Sequence, residues 1–320
     1  MRTLKKWTAL AGAATLLTLS ACGGQDAADD SDAAVRLENC GRTVTLSAPA
    51  SAAITVNQGA TESALAIGAQ GRLTATAYLD DEIAPRWADA YSKIEVLSPK
   101  YPDREVVLER RPDLVAASYS SAFDDKELGT RQELADLGIA TYVSPFGCEE
   151  KADRAATSWD SVAQETSDYG VLFGLEKQAA DVNDAMRRTL ADLKTKNAGA
   201  GKSIMWWDAK TDSPSVGGRS GGPQLVMDAV GATNAFGHLD GNWATTGWED
   251  VLKADPDVIV LIDASAHSAD VKRKYIESDP ALKDLTAVKN GAFVVIPFSE
   301  STPGARMIDG AVRLSDALAK

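Results

Sequence analysis

The frame Glu-x-Val-Leu-x-x-x-Pro-Asp occurs twice, at 105–113 and at 249–257, in a chain of 320 residues. Each copy is followed by a β-prone run, Leu114 to Ala117 and Val258 to Ile262. Proline cannot continue a helix, and it pushes the residue before it toward extended geometry. Each copy therefore predicts helix, stop, strand. One copy would carry little weight, because α/β proteins use such punctuation often. Two copies, flanking a proline-free segment from Ser158 to Lys196, predict two equivalent lobes with a helical spine between them.

The runs around the first copy extend the pattern. Ala53 to Val56 reads as a strand, Thr61 to Ile67 as a helix closed by Gly68, and Leu73 to Ala77 as the next strand. Glu105 to Arg110 and Asp124 to Leu137 read as helices, and Ile139 to Val143 as another strand. Strands alternating with helices predict a parallel sheet covered on both faces. Within the spine, Ala179, Val182, Ala185, Met186, Leu190 and Leu193 share one face at helical spacing. The second lobe begins with a strand at Ser203 to Trp207.

The N-terminus is of another kind. Arg2, Lys5 and Lys6 precede an apolar run from Trp7 to Leu19. That run is too short for a ~30 Å hydrocarbon core and suits a secretion signal. Leu19-Ser20-Ala21-Cys22 closes it. The tetrapeptide resembles the lipobox of bacterial lipoproteins, which implies lipid on Cys22 as the first mature residue; a plain leader is the alternative. Residues 23–34 are small, polar and acidic, as a tether would be. The expected divisions are a signal peptide 1–21, a tether 22–36, a first lobe 37–157, a helical linker 158–198 and a second lobe 199–320.

Charge and cysteine count narrow the function. The formal charge is −13, and it becomes −16 when the three cations of the leader are removed with it. So acidic a chain is a poor partner for nucleic acid. Of three cysteines, Cys40 and Cys148 remain if lipid takes Cys22, and in an oxidising compartment they form a disulfide or stay as two thiols. With His238 and His267 the only histidines, no spacing for a protein-held metal site is present.

From about residue 38 to 320 the chain resembles the solute-binding proteins of bacterial ABC importers. Within them it resembles the helical-backbone class that handles iron-siderophores, haem, cobamides or metal ions. The resemblance rests on Gly59-Ala-Thr-Glu62, on the paired repeat, on the central helix, and on Gly222 to Gly231 before Asn234. It implies two Rossmann-like α/β lobes with central parallel sheets, joined by one long rigid helix, with solute in the cleft between them. It also implies a monomer serving a permease dimer with ATPase subunits, docked through Glu105 on one lobe and Glu249 on the other. Both glutamates open helices, and Thr246-x-x-Glu249 reads as a capping box, so capping is the plainer role for each.

Candidate solute contacts are the aromatics near strand ends, where α/β sheets build their sites. Tyr78, Tyr101, Trp243 and Phe298 belong to this group, with Trp87, Tyr119 and Trp248 beside them. Trp206 and Trp207 are candidates too, although alternation along a strand sends one of them inward. Asn57, Gln58 and Ser120 end strands and either bind polar solute atoms or cap turns. Arg219 lies in a glycine-rich loop before a helix and suits an anion, unless the loop is simply a surface loop. Arg306 suits an anion or a contact between lobes.

The expected function is a lipid-anchored extracytoplasmic receptor that delivers a ferric siderophore or similar chelate to an ABC permease, with no cofactor of its own. A corrinoid or the deazaflavin precursor F420-0 is the alternative solute. An enzyme is disfavoured, because neither Gly-x-Ser-x-Gly nor a Gly-x-Gly-x-x-Gly at the first strand–helix junction occurs. A purely structural lipoprotein is the remaining alternative.

Overall fold

The computed structural model describes residues 34–265 and 267–320. The leader, Cys22 and most of the tether lie outside the described residues. Among the described residues no helix is long and apolar enough to cross a membrane.

The chain enters on an antiparallel hairpin, β1 (Val35–Asn39) and β2 (Arg42–Leu46). The first lobe then runs β3 (Ala53–Val56), α1 (Gln58–Ala66), β4 (Leu73–Ala77), α2 (Ala88–Tyr91), β5 (Glu95–Val96) and α3 (Arg104–Glu109). It closes with β6 (Leu114–Ala117), α4 (Arg131–Asp136) and β7 (Ala140–Val143). The five strands are parallel, in the order β5-β4-β3-β6-β7. Apolar cores cover both faces, which is why β3 and β6 are buried at every position rather than at alternate ones. The hairpin covers the β7 side. Asn39 imitates a strand partner there: its Nδ2 donates to Val143 O at 2.7 Å, and its Oδ1 accepts from Val143 N–H at 2.9 Å. A disulfide joins Cys40, in the hairpin turn, to Cys148 beyond β7, with 5.4 Å between Cα atoms.

Two helices follow, α5 (Trp159–Phe173) and α6 (Glu176–Lys196). The spine is thus a pair of packed helices where one long helix is expected from sequence. Gly174, at φ 59°, ends α5 in the left-handed region that a β-carbon disfavours, and the chain reverses. Both helices bridge the lobes. Val162 and Ala163 of α5 join the second-lobe core, while Tyr169, Leu172 and Phe173 join the first. Ala179 of α6 sits in the first-lobe core and Met186 and Leu193 in the second.

The second lobe contains β8 (Ser203–Ala209), β9 (Ser215–Gly217), α7 (Gly222–Ala229), β10 (Thr233–Asn234), β11 (Trp243–Thr245) and α8 (Trp248–Ala254). It continues with β12 (Val258–Asp263), α9 (Ala269–Ser278), α10 (Thr286–Lys289), β13 (Phe293–Pro297) and α11 (Met307–Leu318). Its sheet is mixed. Strands β8, β10, β12 and β13 are parallel, while β9 runs antiparallel to both β8 and β11. Cores again cover both faces.

The repeat is structural as well as sequential. In each lobe its aspartate fastens the start of the first central strand. Asp113 accepts Ser51 N–H at 2.7 Å and Ala52 N–H at 3.1 Å ahead of β3, and Asp257 accepts Ser203 N–H at 2.8 Å in β8. The residues before the two prolines are not extended, as the pre-proline rule predicts. Arg111 and Asp255 both hold positive φ, 46° and 37°. Helix termination in the left-handed region overrides the pre-proline bias at both ends. The helix expected over 124–137 is reduced to α4. Gly129 at φ 87° breaks it, and Thr130 with Glu133 forms a reciprocal capping box that starts the helix there.

Candidate functional site

Between the lobes lies a cleft of about 790 Å³. It is built where the parallel strands end, as the chain-reversal logic of α/β sheets requires. Asn57 follows β3, Tyr119 follows β6 and Ser144 follows β7, all lining the cleft from the first lobe. Asp208 in β8, Trp243 in β11 and Phe298 after β13 line it from the second. Glu165 of α5 reaches it from the spine. The wall at β3 is tightly made. Ser118 Oγ accepts Ala60 N–H at 3.0 Å, and a β-carbon at Gly59 would lie 2.9 Å from that oxygen, so glycine is required for α1 to start so close to β6. Asn57 holds φ 73°, a strained conformation for a residue other than glycine, and is only 2% exposed.

One flank of the cleft is stitched by polar contacts between lobes. Arg306 Nη1 donates to Glu62 Oε1 at 3.2 Å and to Glu82 O at 2.9 Å, and its Nη2 donates to Glu300 Oε1 at 3.1 Å. Asp81 accepts both the N–H and the hydroxyl of Ser299, at 2.8 and 2.7 Å. Arg86 and Asp309 pair at 2.6 Å. All three ties join the segment 81–86, or α1, to the segment 298–309.

The cleft's carboxyl groups resist ionisation. Burial pushes Glu165 up to about 7, against a hydrogen bond with Ser144 and with a small contribution from Asp168. Burial raises Asp80, and Asp81 adds to it. Asp208 is raised by burial and partly relieved by Lys272 and His267. Glu62 is raised by burial despite Arg306, the Ala84 N–H and Gln58. Loss of hydration in the cleft pushes the Tyr119 hydroxyl up to about 12, and Asp80 adds to the rise.

Of the residues expected from sequence, Asn57, Gln58, Tyr119, Trp243, Phe298 and Arg306 line the cleft. Others do not. Trp206 and Trp207 are fully buried in the cores on opposite faces of β8, and Trp207 packs edge-on to Trp248 at 5.0 Å. They are structural, because a central strand with a core on each face sends every side chain inward. Tyr78 and Tyr101 stack edge-on at 4.8 Å against the first-lobe core, with the Tyr101 hydroxyl 2.9 Å from Ser121 Oγ. Ser120 sits in a turn, its N–H bonded to Gly147 O at 3.0 Å. Arg219 is outside the cleft lining and pairs with Asp240 at 3.1 Å. The expected capping box at Thr246 is not formed: Gly247 caps α8 without a side-chain bond. Glu249 and Glu105 are both exposed in first helical turns with no hydrogen bond or ion pair among the described residues.

Sequence reasoning misses Asp80, Glu165 and Asp208. Asp208 carried a signal, since it closes a strand at the end where sites form. Glu165 carried one also: it shares the buried stripe of α5 with Val162, Thr166 and Tyr169, an unusual place for a carboxylate. Among the described residues no group of three or more His, Cys, Asp or Glu is placed to hold a metal ion.

Comparison with known proteins agrees with this architecture. Residues 54–300 match the periplasmic binding protein family. No curated protein matches the sequence. A periplasmic binding protein of Veillonella parvula has a similar structure, with a TM-score of 0.76 and 24% identity over 88% of this chain and 96% of that one. A protein of the Fe3+-hydroxamate transport system of Saccharomonospora viridis gives 0.72 and 23%, over 89% and 99%. The petrobactin-binding protein of Bacillus subtilis gives 0.70 and 17%, over 89% and 99%. With more than half its length matched, this chain belongs to the periplasmic binding protein family, whose members are extracytoplasmic solute receptors.

Proposed function

We propose that the chain captures a bulky organic metal chelate, of the ferric siderophore type, outside the cytoplasm and passes it to an ABC permease. The observation that carries this reading is the cleft: about 790 Å³, walled by Tyr119, Phe146, Trp243 and Phe298, with polar groups such as Asn57, Gln58 and Asp208 set among the rings. Such a volume fits a ligand of several hundred daltons, and aromatic walls suit a large organic surface. The structurally similar proteins named for hydroxamate and petrobactin uptake point the same way. A free metal ion suits the site poorly, since it offers no convergent ligand set. A strongly anionic solute such as F420-0 loses its main support, because Arg219 is engaged elsewhere.

In this reading Cys22 carries the lipid and residues 23–34 let the body move over the membrane. Glu105 and Glu249 are the docking carboxylates, one on each lobe at equivalent repeat positions, unpaired and ready for cationic partners. Native mass spectrometry of the protein isolated from its own host tests the solute class. An adduct of several hundred daltons with the isotope pattern of iron is expected. An adduct of one bare metal ion, or a metal-free organic ligand, would refute it.

A further inference from the structure

Resting on that reading of the cleft, we propose that the Cys40–Cys148 disulfide positions the first-lobe wall for the solute, and so sets affinity as well as stability. The wall concerned is the segment 144–157, between β7 and α5. Ser144, Phe146, Lys151, Arg154 and Thr157 of this segment line the cleft. Apart from one short helical turn at Lys151–Asp153 it has no regular structure. Its ends are fastened to the fold. Ser144 N–H donates to Ala117 O at 2.8 Å, Ser120 N–H donates to Gly147 O at 3.0 Å, and Ser161 Oγ donates to Ala156 O at 2.8 Å. Its middle is not. Arg154 Nε donates to Cys148 O at 2.6 Å, its Nη2 to Glu149 O at 3.3 Å, and Ala155 N–H to Pro145 O at 2.9 Å, all inside the segment. Among the described residues no hydrogen bond or ion pair ties residues 148–155 to a part of the chain outside 144–157.

Packing does not supply the missing hold, because residues 149–154 are exposed. Cys148 is fully buried, and its bond to Cys40 is the tie that remains. The anchor on the other side is firm. Asn39, next to Cys40, bonds both backbone groups of Val143 and accepts from Arg131 Nη2 at 3.0 Å. The same hairpin turn abuts the segment a second time, since a β-carbon on Gly41 would lie 2.8 Å from Asp153 Oδ2. The second lobe solves the matching problem differently: its segment 298–306, after β13, is tied across the cleft through Ser299 and Arg306. Two wall groups depend directly on the disulfide. Phe146, two residues before Cys148, lines the cleft and packs against the second-lobe core. The Arg154 guanidinium hangs from the Cys148 carbonyl. Without the disulfide both lose their fixed reference. Solute would then have to order them on arrival, and that ordering subtracts from affinity.

The test compares the full chain with Cys40→Ser/Cys148→Ser and with Leu193→Ala. Leu193 lies in the second-lobe core and outside the cleft lining, so its loss lowers stability without touching the segment. Trimethylamine N-oxide, added to all three proteins, favours the folded form. A linear ferric trihydroxamate and a ferric tricatecholate are the probes, read by quenching of tryptophan fluorescence, with Trp243 in the cleft wall as reporter. Amide hydrogen exchange, read by mass spectrometry, follows 144–157 with no solute present. The cysteine variant should bind the tighter probe about 10-fold or more weakly, the effect of ordering two or three side chains on binding. Its exchange should speed up across 144–157 more than in β8 or β12. Leu193→Ala should keep the wild-type dissociation constant. Unchanged affinity in the cysteine variant, an equal loss in Leu193→Ala, or a cysteine variant that stays unfolded would overturn the inference. If the wild type binds neither probe, the chelate reading fails. The exchange comparison then decides the positioning role alone, and equal protection of 144–157 with and without the disulfide overturns it.

Discussion

Replacing Arg306 by methionine isolates the charged stitch between the lobes. The arginine side chain is 7% exposed, and its partners Glu62 and Glu300 are 2% and 3% exposed. Removing one member of a buried pair leaves an uncompensated charge and costs about 3–5 kcal/mol. Glu300 keeps Arg313, whose Nε and Nη2 donate at 2.7 and 2.9 Å. The stranded group is therefore Glu62, which retains Gln58 Nε2 at 2.9 Å and Ala84 N–H at 3.0 Å. Those remaining donors place the loss at the lower end, about 3 kcal/mol. The pH dependence has a definite sign. Burial already holds the Glu62 carboxyl above 4.5, and Arg306 opposes that rise. In Arg306→Met the folded-state value climbs further, so the penalty is full at pH 7.5 and fades as the pH falls toward 4.5 and the carboxyl protonates. Urea unfolding followed by tryptophan fluorescence at pH 7.5 and pH 5 reads both effects. The penalty should shrink by about 1 kcal/mol or more at pH 5, and Glu62→Gln in the same chain should recover a similar amount at pH 7.5. A loss below about 1 kcal/mol, or one equal at both pH values, would refute the reasoning.

Other outcomes follow from the same structure. Glu165→Gln removes a buried carboxyl held at about 7 against an ordinary 4.5; its wild-type contribution is lost as pH rises across that window. The variant should gain about 2–3 kcal/mol relative to wild type between pH 5 and pH 8, and an equal difference at both would contradict this. Cys40→Ser with Cys148→Ser opens a closure of 108 residues and should cost about 3–5 kcal/mol in reversible denaturation, whereas reducing agent should no longer affect the variant. Glu105→Ala with Glu249→Ala should abolish solute uptake in membrane vesicles while the dissociation constant in solution stays unchanged; normal uptake would remove both from the docking role. That uptake should also fall with ionic strength in the wild type, since both carboxylates are exposed.

Some of this was legible in the sequence for clear reasons. Strands β3, β4 and β6 match their expected limits because buried parallel strands are short apolar runs between turn residues. The repeat marked equivalent places in two lobes because its proline and aspartate perform the same task twice. The division of the spine was less legible, since Gly174 alone signals the reversal amid good helix formers. The site was partly legible. Strand-end reasoning found Asn57, Trp243 and Phe298. It failed at Trp206 and Trp207, because aromatic clustering says nothing about whether a strand has one buried face or two. It passed over the acidic residues, because only the folded arrangement shows that Asp80, Glu165 and Asp208 share one space.

The doubled spine has a kinetic consequence. Two helices, each rooted in both cores, stiffen the joint between the lobes, and the expected outcome is an empty receptor with no large population whose jaws are apart. No fraction of molecules is then set aside as incompetent, and arrival of solute meets no slow rearrangement. The observed association rate should rise in proportion to solute concentration without a plateau. The importer, in turn, must sense loading from the solute showing at the mouth or from subtle torsion of the helical pair, because a wide swing of the halves is not on offer.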